Sequence, residues 1–222
     1  IQYVTISTTG NTTDFGDLTA TINSPAANSS STRAVFMGNH SPSVVSTIDT
    51  VQIATTGNAA DFGDITVARG DNGSASNSIR GLCLGGTTGG GTVVNVIDFV
   101  TIATFGNATD FGDLANGDTL NSMAMPAHGG IDLDSIQRPS VTYMPGSGRG
   151  FYSGGATPTM INVIEMLHIP TTGNTSDFGN LYNITANGVA SASNYTRAFH
   201  ISGNGPSAMQ TDIQSFEMAS QG

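Results

Sequence analysis

The 222-residue chain has no tryptophan and a single cysteine, and all six of its basic residues are arginine, so lysine is absent too. Only Glu165 and Glu217 are glutamates; every other acidic residue is aspartate. Charged residues make up 10% of the chain, against about 25% in an ordinary soluble domain. Each shortage excludes something. The net charge of −10 leaves no basic stripe to neutralise phosphates, so nucleic acid is not an expected partner. One cysteine, Cys83, excludes an internal disulfide and a paired-cysteine metal site. No apolar run approaches the ~18 residues of a membrane-spanning helix, so membrane insertion is not expected. The four histidines, at 40, 128, 168 and 200, form no His-x-His or His-Glu-x-x-His pattern, and no metal is expected. Gly85-Gly86 and Gly89-Gly90-Gly91 lack the following lysine of a phosphate loop, and there is no Gly-x-Ser-x-Gly. No cofactor is called for.

Glycine, in contrast, is abundant at 29 residues, about twice its usual ~7% share, and it falls in a repeat. TTGNTTDFGDL at 8–18 returns as TTGNAADFGDI at 55–65, TFGNATDFGDL at 104–114 and TTGNTSDFGNL at 171–181. A second marker keeps the same rhythm: RAVFMGN from Arg33, RGLCLGG from Arg80, RGFYSGG from Arg149 and RAFHISG from Arg197. A third precedes each TTGN: IQYVTI at 1–6, IDTVQI at 48–53, IDFVTI at 97–102 and IEMLHI at 164–169, with IQSFEM at 213–218 opening a further unit. The chain therefore divides into repeats 1–47, 48–96, 97–163 and 164–212 and a partial repeat 213–222, with an insertion at about 115–147. The partial unit suggests a longer parent chain.

Within a unit, the I-[DEQ]-x-x-x-[IM] and Arg-led segments are short and rich in β-branched and aromatic residues, which favours strands. No segment keeps a helical period over eleven residues. Small-residue segments such as Ser74–Ser76 and Ala190–Ala192 suit a strand where sheets crowd together. Each unit then reads as a small-residue strand, an Arg-led strand ending in Gly-Gly, an Ile-led strand, a TTGN turn and an outer DFGDL segment. About four strands in 47–49 residues is the signature of a β-propeller blade. The Gly-Gly after the second strand gives a kelch-like pattern without its tryptophan. The expected fold is all-β, a kelch-like propeller of four ~48-residue repeats plus the first strand of a fifth. A linear β-solenoid is the alternative.

The composite YVTI-x-TTGN-x-x-DFGDL with RGxFxGG resembles a repeat of virion structural proteins of tailed phages. The resemblance covers nearly the whole chain apart from the insertion. It implies a non-enzymatic structural or adhesive virion component (a fibre, decoration or receptor-binding protein), located on a virion or outside cells. The implied partners are other virion or surface proteins, in an oligomer, and a cell-surface glycan. The chain departs from the pattern at Asn39, at Cys83 and His200 in the aromatic slot, and at Asn180. A glycan-binding propeller lectin is the second functional reading.

Three sets of recurring residues are the candidates. Arg33, Arg80, Arg149 and Arg197 each offer five fixed donors and are expected to bind a loop carbonyl or an Asp within or beside their own blade. A ring of arginines binding an anionic polysaccharide is the competing reading. Asp14, Asp61, Asp110 and Asp177 are expected to shape turns through their own backbone; Asn11, Asp14 and Asp17 as a calcium loop is the less fitting alternative, because the EF-hand spacing is absent. Phe15, Phe62, Phe111 and Phe178 are expected to pin each outer turn to its blade. Recurrence in every unit argues for structure in all three sets. The insertion, which breaks the symmetry, is the expected place for partner or glycan recognition.

Overall fold

The computed structural model describes residues 1–40, 42–115, 148–156, 159–186, 190–193 and 197–218. Apart from Ala115, the insertion lies outside the described residues. The described chain is all-β and forms several small antiparallel sheets. The first is the short pair β1 (Gln2–Tyr3) and β2 (Thr13–Asp14). The second is a meander of β3 (Ala26–Ser29), β4 (Arg33–Asn39), β5 (Val45–Gln52) and β6 (Ala60–Asp64). The third repeats it with β7 (Gly73–Ser76), β8 (Arg80–Leu84), β9 (Val96–Thr101) and β10 (Thr109–Asp113). The fourth holds β11 (Arg149–Ser153), β12 (Val163–His168) and β13 (Ser176–Asn180). The fifth holds β14 (Ala190–Ser193), β15 (Arg197–Asn204) and β16 (Met209–Glu217).

The strand order in the two four-stranded sheets is the one expected: small-residue, Arg-led, Ile-led, then Asp-Phe-Gly. Each sheet therefore straddles a sequence-repeat boundary, because the Ile-led strand that opens a repeat pairs with the Arg-led strand of the repeat before it. The glycine pair that ends the Arg-led strand takes positive φ, at Gly85 (56°) and Gly86 (112°) and again at Gly154 (72°) and Gly155 (111°). In the fifth sheet Ser202 occupies the first of these places at φ 62°, a region costly for a side chain.

The small residues are explained by what lies next to them. A Cβ on Gly81 would stand 2.9 Å from Cβ of Asn28 in β3, and one on Gly150 would stand 3.2 Å from Cβ of Ala75 in β7. The small-residue strand of one sheet thus presses on the Arg-led strand of the next, and the close approach leaves no room for a side chain at Gly81 or Gly150. The core is accordingly not inside any one sheet. Val35, Met37, Ile48, Phe62 and Ile65 of the second sheet and its trailing turn cluster with Cys83, Val100 and Ile102 of the third. Leu82, Leu84, Ile97, Phe111 and Leu114 continue the pattern with Tyr152, Leu167 and Ile169 of the fourth. Phe151, Ile164, Phe178 and Leu181 close it against Ala198 and Met218 of the fifth.

Candidate functional site

The recurring residues converge on the junction between one sheet and the next. The Asp-Phe-Gly segment is a β-bulge. In β6 the partners of Ile48 and Asp49 are Gly63 and Asp61, leaving Phe62 as the extra residue. The same shift leaves out Phe111 between Asp110 and Gly112, and Phe178 between Asp177 and Gly179. A bulge re-aims the extra side chain, and here it drives the phenyl ring into the inter-sheet core. Phe62, Phe111 and Phe178 are each buried, whereas Phe15, beside the two-residue β1–β2 ladder, is half-buried. Asp61 Oδ1 accepts from the Gly63 amide at 3.0 Å, and Asp110 Oδ1 from the Gly112 amide at 3.1 Å. Asp61 and Asp110 thus brace the bulge from within their own segment.

The bulge glycine is where the next unit docks. Gly63 has φ 148°, and a Cβ there would lie 2.5 Å from the Gly106 carbonyl oxygen. Gly16 and Gly112 meet Gly57 and Gly173 in the same way, at 2.3 and 2.6 Å. This close approach lets the Gly-Asn turn of one unit bond to the bulge strand of the one before it. The Gly106 amide donates to Phe62 O at 2.9 Å, the Ala108 amide donates to Asp64 O at 2.8 Å, and the Asp64 amide donates to Asn107 Oδ1 at 3.1 Å. Gly57, Ala59 and Asn58 make the same three bonds to Phe15 and Asp17, and Gly173, Thr175 and Asn174 make them to Phe111 and Asp113. Asn58, Asn107 and Asn174 thus each use the side-chain oxygen to accept a backbone amide across the junction. Among the described residues no group of three His, Cys, Asp or Glu side chains is placed to hold a metal.

A second tie uses the acid of the Ile-led strand, whose role sequence reasoning missed. Asp49 accepts from the Thr19 amide at 3.0 Å and from the Thr19 hydroxyl at 2.6 Å. Asp98 does the same for Thr66, at 3.1 and 2.7 Å. In the next junction the threonine is replaced by Ala115, which has no hydroxyl. There the acid is Glu165, one methylene longer. Its Oε2 accepts from the Ala115 amide at 3.1 Å and from the Thr175 hydroxyl at 2.6 Å. Alanine (59, 108) stands at the place of Thr175 in two units and threonine (Thr12) in the first. The loss of the hydroxyl at Ala115 is therefore met by the longer Glu165 and by the Thr175 hydroxyl, and their joint occurrence is the signal that would have revealed the contact. In the fifth sheet the neutral Gln214 takes the acid's place and accepts from the Asn183 amide at 3.1 Å.

The arginines form the third tie. Arg33 Nη1 donates to Ile102 O at 2.9 Å, Arg80 Nη1 to Ile169 O at 3.1 Å and Arg149 Nη1 to Met218 O at 2.6 Å. Each acceptor ends the Ile-led segment of the following sheet. Arg33 also lies over the Phe105 ring at 4.6 Å, and Arg80 over Phe99 at 4.6 Å. Arg197 differs: its guanidinium donates to Glu217 Oε1 at 2.6 Å within its own sheet, and both side chains are about half exposed.

Two buried polar groups have no counterpart in the repeat. Arg69 is fully buried and donates to Asp98 Oδ2 at 2.8 Å, to Gly85 O at 2.8 Å and to Cys83 O at 3.2 Å. His200 is buried between Ser153 Oγ at 2.9 Å and Thr185 Oγ1 at 2.6 Å. Desolvation by burial lowers its pKa from 6.5 to about 4, so the ring is neutral at physiological pH and bridges two hydroxyls. Burial also pushes the Cys83 thiol up to about 11, which removes it as a nucleophile.

Comparison with protein-family models and with curated proteins gives no match to this chain.

Proposed function

We propose that the chain is a kelch-like β-propeller array acting as a non-enzymatic structural or adhesive component of an extracellular particle, a phage virion in the reading the repeat suggests. The observation that carries this is the use made of the recurring residues. The bulge glycines, the turn asparagines, the strand acids and three of the four repeat arginines serve to fasten one sheet to the next. Repetition spent on inter-unit fastening is the design of an extended scaffold, in which each unit is stabilised chiefly by its neighbours. The distinctive reactive groups support the same reading: His200 is buried and neutral, Cys83 is buried and protonated, and Arg69 is neutralised by Asp98. Propeller geometry accounts for meanders of four strands with the small-residue strand innermost. The test is proteomic and imaging localisation on purified particles. A stoichiometric, particle-bound protein supports the reading; a protein found only free in the medium or in host cytosol contradicts it.

The second reading, a glycan-binding propeller, rests on Phe105. It stands 57% exposed where the repeat has threonine, stacked on Phe62 at 5.3 Å. It borders a groove that Gln52 and Asn58 also line, an aromatic face flanked by polar groups of the kind a sugar ring stacks on. A glycan array separates the two: saturable binding lost in Phe105→Thr favours the lectin.

A further inference from the structure

Arg69 stands where the first unit has Ile22. The run Ile65-Thr66-Val67-Ala68-Arg69 follows the second Asp-Phe-Gly segment as Leu18-Thr19-Ala20-Thr21-Ile22 follows the first. The Arg69 side chain lies against the third sheet and has five acceptors there. They are Asp98 Oδ2 at 2.8 Å and the carbonyls of Gly85, Val67, Cys83 and Val96 at 2.8, 3.1, 3.2 and 3.5 Å.

The second sheet carries the same five places. Asp49, Gly38, Ala20, Phe36 and Thr47 correspond to Asp98, Gly85, Val67, Cys83 and Val96. All five line one pocket of about 140 Å³ between Thr19–Ile22 and the second sheet. Asp49 is 3% exposed and holds Thr19 as Asp98 holds Thr66: Oδ1 takes the hydroxyl and Oδ2 the amide. In Asp98 the second oxygen also accepts from Arg69, whereas no basic side chain among the described residues pairs with Asp49. The pocket reaches the exposed residues Pro42 and Ser43 of the β4–β5 loop. Asn39, in the place of Gly86, ties its walls together. Its Oδ1 accepts from the Asn23 amide at 2.5 Å and its Nδ2 donates to Ser43 O at 3.0 Å.

We infer that the Asp49 pocket binds the guanidinium group of a ligand, an arginine side chain or a free guanidino compound, as the third sheet binds Arg69. A buried carboxylate held only by neutral donors attracts a cation strongly. The planar guanidinium offers a fork of five donors to a set of acceptors spread around it, and a compact ammonium offers three. Phe36, in the place of Cys83, adds an aromatic wall of the kind a guanidinium plane stacks on. The inference does not depend on the particle reading or on where the chain begins. It rests on one side chain, isoleucine against arginine, at equivalent positions within the chain.

The experiment is a nuclear magnetic resonance titration of the whole chain with N-methylguanidinium. Saturable one-to-one binding is expected, with shifts centred on the Thr19 and Asp49 amides. Methylammonium and calcium are expected to bind at least about tenfold more weakly. Asp49→Asn is expected to weaken N-methylguanidinium binding by at least about tenfold. Ile22→Arg supplies the group from within the chain, so it is expected to raise the melting temperature and abolish the titration, while Ile22→Leu leaves both unchanged. The peptide Gly-Arg-Gly separates the two sources: binding at least as tight as N-methylguanidinium identifies an arginine side chain, and weaker binding a free guanidino compound. Absence of N-methylguanidinium binding overturns the inference. So does binding that survives Ile22→Arg, or equal binding of methylammonium.

Discussion

The third and fifth sheets share the small-residue, Arg-led and Ile-led strands, yet they stand differently in the molecule. In the third, β9 buries Ile97, Asp98 and Val100, and Arg80 reaches across to the following unit. In the fifth, β16 alternates exposed and half-buried along its whole length, and Arg197 turns back to Glu217 in its own sheet. The strands have kindred sequences, so the sequence of a strand does not by itself bury it. Burial comes from the neighbouring unit: the bulge phenylalanine wedged from one side, the Gly-Asn turn bonded to the bulge strand, and the arginine fastened across the junction. Stability in such an array is a property of junctions.

That comparison can be broken most forcefully at Arg69. Arg69→Ala leaves Asp98 buried without its cation while it still holds Thr66. The expected loss is about 3–5 kcal/mol, the range for breaking a buried ion pair from one side, measured by denaturant unfolding. Arg69→Met together with Asp98→Asn should recover part of it. Next is the bulge glycine. Gly63→Ala places a Cβ 2.5 Å from the Gly106 carbonyl at φ 148°, and it is expected to cost more than about 2 kcal/mol. Gly57→Ala, where a Cβ meets nothing within 4 Å, is expected to cost less than about 1 kcal/mol. Equal losses at the two glycines would mean that the close approach is not what selects glycine.

A smaller effect distinguishes the compensated junction. Thr175→Val removes a hydroxyl donor from Glu165 and is expected to cost about 1–3 kcal/mol, while Ala108→Thr in the neighbouring unit, where Thr66 already serves Asp98, gains nothing. The fifth sheet is sharpened by pH. His200 holds its proton less tightly folded than unfolded, so its contribution is complete above about pH 6.5 and is lost as pH falls towards 4. Thermal melts should fall through that window, and His200→Gln should flatten this part of the slope. Smallest of all is Arg197→Ala, expected within about 0.5 kcal/mol of the parent because the ion pair is solvent-exposed.

Much of the fold was legible in the sequence, for a physical reason. Periodic Gly, β-branched and small residues report local backbone demands, and these set the strand order and the Gly-Gly ends. The phenylalanines at 62, 111 and 178, expected as anchors from their recurrence in one frame, are buried by the bulge, whereas Phe15 is half-buried. The arginines were expected to bind a carbonyl or an acid within or beside their own sheet; Arg33, Arg80 and Arg149 donate to carbonyls of the neighbouring sheet, and Arg197 to Glu217 of its own. What stayed hidden was long-range. The acid of the Ile-led strand meets a threonine some thirty residues earlier (Asp49 with Thr19, Asp98 with Thr66), and no local pattern announces the pair. Only the joint change at Ala115, Glu165 and Thr175 carried a trace of it. Arg69 and His200 were hidden because each occurs once, and a repeat hides what it does not repeat.

The central claim is that each unit is fastened by the Gly-Asn turn of the one that follows. Amide hydrogen exchange tests it most directly, because the turn side chains are exposed while their amides are bonded across the junction. The amides of Gly57, Ala59, Gly106, Ala108, Gly173 and Thr175 are predicted to exchange as slowly as those of β8 and β9, although Gly57, Gly106 and Gly173 are exposed residues. Exchange at the rate of free turns would contradict the account.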